Sequence, residues 1–353
     1  MKRYYLLIVM SFAALGVMAQ TTLVATLTHA GVTTEYYGEK AFVTAVEASV
    51  DGDLITLSEG LFTGPTINKS LNIRGNGVGS TVITSKVILD KSTDEDEANH
   101  WLNIEGITFN SDIRIKGPGS REPYVVKDLC MKKCDIKNFV FEGYYYNGDY
   151  YYSTLKNCSF INCRITDGIG LHNVDEVSFI NSIVKGYNYQ ASKYGEQETN
   201  PKVNMLNCVI ITNTAPDRVT YLNAKNSVLL INVNNYRAYS FSPTVSFQNC
   251  VISGYIDSPS AVNSFFNNGI EHDKTIWMPM ADVFATLTDY SNYDATNDYQ
   301  LKEITSEEVD GNLLGIYNGE VPYTSTVTYP HFTTFNVAEK AVDGKLSVEV
   351  ATE

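Results

Sequence analysis

After its opening residues, this chain has no apolar stretch near the roughly 20 residues that a membrane-spanning helix requires. It is short of positive charge, with 26 Lys and Arg against 40 Asp and Glu. Such an acidic protein repels phosphate backbones, which excludes nucleic acid as an expected partner. It also repels polyanionic glycans unless a cation or a local basic patch intervenes. Cysteine is missing before Cys130, so none stands where a processed N-terminus would carry a lipid. Histidine is missing at ligand spacing beside the cysteines, which argues against a structural zinc site.

What is present begins with a processing signal. Lys2 and Arg3 precede the mostly apolar run Tyr4 to Val17, and Val17-Met18-Ala19 offers a small-residue cleavage site before Gln20. Residues 1–19 are therefore expected to be a signal peptide. The expected location is outside the inner membrane: secreted, periplasmic or at the cell surface. Removing Lys2 and Arg3 leaves 24 basic against 40 acidic residues, a formal charge of −16.

The central feature is a recurring phrase, polar-Cys/Ser-apolar-apolar, usually opened by Asn. It occurs at Lys133-Cys134-Asp135-Ile136, Asn157-Cys158-Ser159-Phe160, Asn181-Ser182-Ile183-Val184, Asn207-Cys208-Val209-Ile210, Asn226-Ser227-Val228-Leu229 and Asn249-Cys250-Val251-Ile252, in steps of 24, 24, 26, 19 and 23 residues. A unit this short cannot bury its own apolar face and must stack on its neighbours. Propeller blades run longer, and the Leu-rich repeat consensus is absent. Short strands between Gly, Asn and Asp turns suit a coil of three strands, pairing in parallel with the next coil. From Leu54 to Ile276 there is room for roughly nine or ten coils, a rod of roughly 45 Å at the inter-strand spacing.

In this reading Cys134, Cys158, Cys208 and Cys250 share one inward slot, which Ser182 and Ser227 fill elsewhere. Free buried thiols are expected there, with a Cys134–Cys158 bridge between stacked rungs as the alternative. Asn157, Asn181, Asn207, Asn226 and Asn249 are expected to form a ladder along the rod, because Asn tolerates left-handed turns and stacked amides bond one another. Residues 20–34 are Thr-rich and poorly patterned. Tyr36 to Val50 reads as a helix that caps the first coil, stopped by Asp51-Gly52. A short helix is expected within Asp282–Leu287, followed by a polar Tyr-rich loop. Phe332, Phe335 and Val337, then Leu346, Val348 and Val350, mark a small β segment with Asp343-Gly344 at its turn.

Two stretches resemble the right-handed parallel β-helix proteins of the pectin-lyase-like superfamily. One runs from Phe42-Val43-Thr44-Ala45-Val46 through Gly52-Asp53-Leu54-Ile55-Thr56-Leu57, Gly60-Leu61-Phe62 and Ile67-Asn68-Lys69-Ser70-Leu71-Asn72-Ile73-Arg74-Gly75 to Thr81-Val82-Ile83. The other is Asp298-Tyr299-Gln300-Leu301 with Asp310-Gly311 and Gly315-Ile316-Tyr317-Asn318-Gly319, which is similar to the closing segment of secreted bacterial β-helix proteins. The resemblance covers about residues 36–320. It implies an all-β, right-handed parallel β-helix with an N-terminal α-helical cap over 36–320, and export; the alternation beyond it adds a C-terminal β appendage over 321–353. It implies no single activity, because the superfamily holds lyases, hydrolases, adhesins and scaffolds alike.

Lyases of this fold align carboxylates on adjacent coils beside a cation, often with calcium. Here Asp135, Asp167, Asp175 and Asp217 fall at different repeat phases. Ile165-Thr166-Asp167-Gly168-Ile169 echoes part of a hydrolase string, and His172 follows it, but no Asp pair, Gly-His-Gly or Arg-x-Lys completes the set. Asp167 and His172 are therefore the only catalytic candidates. No cofactor is expected. The run Asp94-Glu95-Asp96-Glu97 is the calcium candidate, but it lacks the spacing of a calcium loop and reads as solvated charge.

The strongest surface feature is Tyr144-Tyr145-Tyr146-Asn147-Gly148-Asp149-Tyr150-Tyr151-Tyr152, a hairpin thrown out from the coil. Alternation puts Tyr145 and Tyr151 on one face and the other four opposite. Tyr187 and Tyr189, with Tyr194, extend the patch. Tyrosine is flat and amphipathic, suited to sugar rings or to a protein partner. The expected function is a non-catalytic, exported binder of a polysaccharide or cell-surface protein. The alternatives are a polysaccharide lyase or glycoside hydrolase, and a structural part of a cell-envelope assembly docked through its C-terminal segment.

Overall fold

A computed structural model describes residues 23–90, 101–117, 125–147, 149–172, 174–189, 202–212, 221–231, 245–254, 271–287, 297–304, 306–324, 332–337 and 348–352. The expected cleavage site and the acidic run Asp94–Glu97 lie outside these residues. The chain is all-β and built on two long sheets, one of 12 strands and one of 13. Each pass adds a strand to the first sheet, turns a corner and adds a strand to the second. Leu129–Lys132 leads to Asp135–Phe141, Cys158–Ile161 to Arg164–Leu171, and Lys202–Leu206 to Val209–Thr212. Neighbouring passes pair in parallel and in register. This arrangement is compatible with a β-solenoid.

The register creates interior columns. Ile73, Ile104, Met131, Phe160, Phe179 and Met205 lie one above the next in the first sheet, all buried. Phe109, Ile136, Ile165, Val184, Ile210 and Leu229 face them from the second. Alternation at period two sends every second residue into this core.

The chain begins differently from the sequence expectation. Val24–His29 and Val32–Tyr37 form an antiparallel hairpin on the edge of the first sheet, and the helix is confined to Ala41–Ala48. Ala30 and Gly31 both have positive φ (48° and 81°), the conformation of a two-residue hairpin turn. Threonines on the outer positions hid the alternation that buries Ala25 and Leu27. Tyr36 belongs to the hairpin, and Gly38 at φ 93° separates it from the helix.

The corner between the two sheets explains most of the repeated phrase. Lys133, Asn162, Asn181, Asn207, Asn226 and Asn249 occupy left-handed backbone with φ between 45° and 53°. Asn adopts that conformation at less cost than most residues. The next residue is Cys134, Cys163, Ser182, Cys208, Ser227 or Cys250. Asn157-Cys158 is therefore not a copy of this corner. Asn157 stands with Asp128 at a different one, and Cys158 pairs with Val177 in an interior column. Asn157 shares the left-handed backbone of the first corner and also precedes a buried cysteine, which is why the two read alike, although at the second corner Asp128 and Tyr221 precede leucine.

Serine and cysteine interchange in the slot because its surroundings are polar. Ser182 Oγ accepts the Cys163 N–H at 3.0 Å and lies 2.8 and 3.2 Å from the Ile180 and Phe160 carbonyls. Cys208 Sγ lies 3.4 Å from the equivalent carbonyls of Leu206 and Phe179. All six cysteines are free thiols, and only Cys130 is not buried. The expected alternative of a Cys134–Cys158 bridge is thus not realised.

Burial pushes the thiols of Cys158, Cys208 and Cys250 up to about 12. Against an unfolded value of 9.0, their stabilising contribution is complete below pH 9 and is lost as pH rises toward 12. A thiol reagent at pH 8 should therefore modify Cys130 alone in the native protein and all six cysteines after denaturation. Stability should fall between pH 9 and 12. Rapid native modification of Cys208 would contradict this burial.

The asparagine ladder forms only in part. Asn249 Nδ2 donates to Asn226 Oδ1 at 3.0 Å. Asn181 and Asn207 instead hold a returning segment: Asn181 Nδ2 donates to the carbonyls of Ile316 (2.8 Å) and Asn318 (2.6 Å), and Asn207 Nδ2 to those of Leu313 (2.5 Å) and Gly315 (3.2 Å). Asn249 exchanges bonds with Asp310. A separate row of amides does pair on the outer face of the first sheet, where Asn103 donates to Asn72 and Asn223 to Asn204.

The returning segment covers an apolar flank. The outward row beside the corner reads Thr108, Asp135, Arg164, then Ile183, Val209, Val228 and Val251. The last four form a second core with Phe284, Tyr299, Val309, Leu314 and Ile316. Asp135 and Arg164 pair in two-pronged fashion at its border. Burial raises the Asp135 carboxyl despite the guanidinium beside it. The short helix lies at Met280–Val283. Phe332–Val337 and Val348–Thr352 pair antiparallel, and the expected turn at Asp343-Gly344 lies outside the described residues.

Candidate functional site

The middle rungs of the second sheet extend beyond the corner into a second arm. A register shift after Phe109 and Ile136 bends the strands Thr108–Ile115, Asp135–Phe141 and Arg164–Leu171. Past the shift, Ile113, Phe139 and Ile169 point inward and are buried. The residues between them point outward. Asp112 lies beside Asn138, Asn138 beside Gly168, and Arg114 beside Val140.

Arg114 organises the charges on this face. Its Nε and Nη2 donate to Asp112 Oδ2 at 3.2 and 2.8 Å, and Nη1 donates to Glu142 Oε1 at 3.4 Å. Asn138 Nδ2 donates to Asp112 Oδ1 at 3.2 Å. Burial alone raises the Asp112 carboxyl, but the bonds from Arg114 and Asn138, with Lys137 nearby, hold it below its usual value. Asp112 is therefore an anion fixed in place.

From the end of this arm rises the tyrosine hairpin, with Tyr144–Tyr146 paired to Asp149–Tyr151. The observed pairs are Tyr144 with Tyr151 and Tyr145 with Tyr150. This corrects the expected faces. A two-residue turn pairs residues of opposite parity, so Tyr145 shares a face with Tyr150 and not with Tyr151. On one face Tyr144 lies against Tyr146 (centroids 6.3 Å apart) and Tyr151 (6.4 Å). On the other, Tyr145, Tyr150 and Tyr152 follow one another at 5.0 and 6.1 Å. Tyr152 then stacks on His172 at 3.8 Å and 11°, and His172 meets Phe141 edge-on at 5.6 Å. An unbroken run of rings thus leads from the hairpin tip to the outer face of the rod. Tyr145 (60%) and Tyr150 (53%) are the most exposed of the hairpin tyrosines.

The other expected binding residues fall elsewhere. Tyr187 is wholly buried, packed in the main core with its hydroxyl 3.5 Å from the Tyr221 carbonyl, so it offers no surface to a ligand. Its strand pairs with 169–171, a position that points its ring into the rod. Tyr189 lies opposite Leu171 in that ladder, and Tyr194 is outside the described residues. Asp167 is exposed at the bend, whereas the His172 ring is held between Tyr152 and Phe141. Among the described residues no three His, Cys, Asp or Glu side chains converge as metal ligands do.

Sequence reasoning passed over Asp112, Arg114 and Glu142, which come together only across stacked coils. It also passed over Gly168 and Gly170, although Gly-x-Gly within a strand was a readable sign of two bare positions on one face. Compared with protein-family models, with curated proteins and with solved structures, the chain matches none.

Proposed function

We propose that this chain is an exported, non-catalytic right-handed β-helix protein of the pectin-lyase-like kind, which binds glycan through its tyrosine hairpin. In this reading residues 1–19 are removed, 36–320 make the helix with its cap, and 321–353 are an appendage. The observation that carries the reading is the run Tyr145–Tyr150–Tyr152–His172. The exposed rings of Tyr145 and Tyr150 offer flat surface to sugar rings at low entropic cost, since each tyrosine has few rotatable bonds, and the stacked pair Tyr152–His172 anchors them to the rod. Arg114, already committed to Asp112 and Glu142, suits hydrogen bonding to hydroxyls better than the abstraction of a proton.

The test is Tyr145→Ala combined with Tyr150→Ala on an array of immobilised polysaccharides. Both rings lie on one hairpin face and away from the core. Retention should fall about tenfold or more, the scale of an interface hot spot, while the melting temperature stays unchanged. Wild-type protein that is retained on no glycan ends this reading. Release of cleaved products, lost in Asp167→Asn, would put the lyase or hydrolase alternative in its place.

A further inference from the structure

The described residues give Gly170 no structural reason to be glycine. Its φ is not positive, and among the described residues a Cβ built on it meets no atom within 4 Å. Gly168, two residues earlier on the same outward face, is nearly as open, its built Cβ 3.7 Å from the Gly186 carbonyl and 3.8 Å from Asn138 Oδ1. Gly186 on the next coil is different: φ is 64°, and a Cβ would stand 2.8 Å from the Asp167 carbonyl. Glycine inside a strand weakens it through backbone entropy and a missing side chain. A strand carrying two such residues on one face gives up stability that valine or threonine would supply. The remaining reason for a bare strand is close approach of something to its backbone.

The surroundings specify what approaches. Gly168 and Gly170 are half-buried and bear no side chain, and half-buried Val140 follows Asn138 and Phe139 on the neighbouring strand. The ring stack of Tyr152 on His172 stands at the end of the same strand. Asn138 turns its Oδ1 toward Gly168 as an acceptor, and Arg114, Asp112 and Glu142 present fixed donors and acceptors beside it. Arg114 and the nearby Lys137 are matched by the carboxylates of Asp112 and Glu142, so the cluster carries no surplus positive charge to hold an anion. The whole chain, at −14, repels polyanions as well.

We infer that the outer face around Gly170 seats a neutral, hydroxyl-rich sugar ring, continuing the tyrosine run down onto the rod. This rests on the proposed glycan-binding reading and names its ligand class: an uncharged polysaccharide and not a uronate or sulfated one. The glycine floor admits the flat face of the ring, and the paired charges bond its hydroxyls without needing a counter-charge.

The test is Gly170→Val. Valine fits the open space and favours the strand, so the melting temperature should hold or rise. The variant and wild type are compared on immobilised neutral polysaccharides (glucan, mannan, xylan) and on anionic ones (polygalacturonate, alginate). Wild type should be retained on a neutral glycan, and Gly170→Val should lose about tenfold of that retention with its fold intact. If Gly170→Val binds the neutral glycan as well as wild type does, the seat is refuted while the hairpin reading stands. The same holds if wild type prefers the anionic set. Retention on neither set refutes both. Should valine impair the cooperative melt, Gly170→Ala carries the same comparison, with loss of retention supporting the seat and full retention refuting it.

Discussion

Phe160→Ala should cost roughly 3–5 kcal/mol, the range for deleting a fully buried aromatic side chain. Phe160 is wholly inaccessible to solvent and sits in the middle of the first sheet's interior column. Its ring stacks on Phe179 at 4.9 Å and meets Phe139 of the opposite sheet edge-on at 5.4 Å. One substitution therefore removes contacts along the rod and across it. The rungs above and below are themselves hydrogen-bonded to their neighbours and cannot collapse inward to fill the space. In a stack whose units touch only adjacent units, the damage should be local first. Hydrogen exchange should show lost protection at 129–132, 158–161 and 176–180 before it shows loss at 71–74. Uniform loss over all rungs, or a cost below about 1 kcal/mol, would mean that this column is not the core.

The second large effect is expected at Asn207, where two separable roles meet. Its backbone is left-handed at φ 53°, and its buried amide holds the Leu313 and Gly315 carbonyls. Asn207→Gly keeps the first role and loses the second. Two carbonyls left without their donor in a buried site cost roughly 1–3 kcal/mol each. Asn207→Ala loses both roles, and the left-handed conformation adds roughly 1–2 kcal/mol. The order of stability should be wild type, then glycine, then alanine. In both variants the segment 306–318 should become a preferred site of proteolysis while the first-sheet rungs remain protected. Equal stability of the glycine variant and wild type would show that the amide does not hold this segment.

These residues also show how far the sequence could be read. Corners were legible because only a few residue types tolerate left-handed backbone, and a small slot must follow. Asn157-Cys158 meets the same description at a different corner, so sequence alone groups it with copies to which it does not belong. The hairpin at 24–37 was obscured because threonine on its outer positions does not contrast with its small inner residues. Val209-Ile210, Val228-Leu229 and Val251-Ile252 carried a message in plain view. A strand that is apolar at consecutive positions is buried on both faces. Residues 310–319 resemble a closing segment, but their place over the outer face could not be read, since they have no periodicity and are held by individual bonds to Asn181, Asn207 and Asn249. The tyrosine hairpin was visible as composition, but its faces depend on the parity of the turn. The charge cluster at Arg114 was beyond reach, because its members are 28 residues apart at the extremes of one contact and meet only through stacking register.

The clasp between the amide corners and residues 310–318 ties the molecule's middle to a segment far along the chain, 135 residues on in the contact of Asn181 with Ile316. A ribosome delivers Ile183, Val209, Val228 and Val251 long before Leu314 and Ile316. Until those two arrive, the apolar seam along one side of the nascent rod is only partly covered. A chain cut short just ahead of Asp310 keeps Phe284, Tyr299 and Val309 but loses Leu314 and Ile316 from this cover, so truncation there should yield material that self-associates more than the full chain.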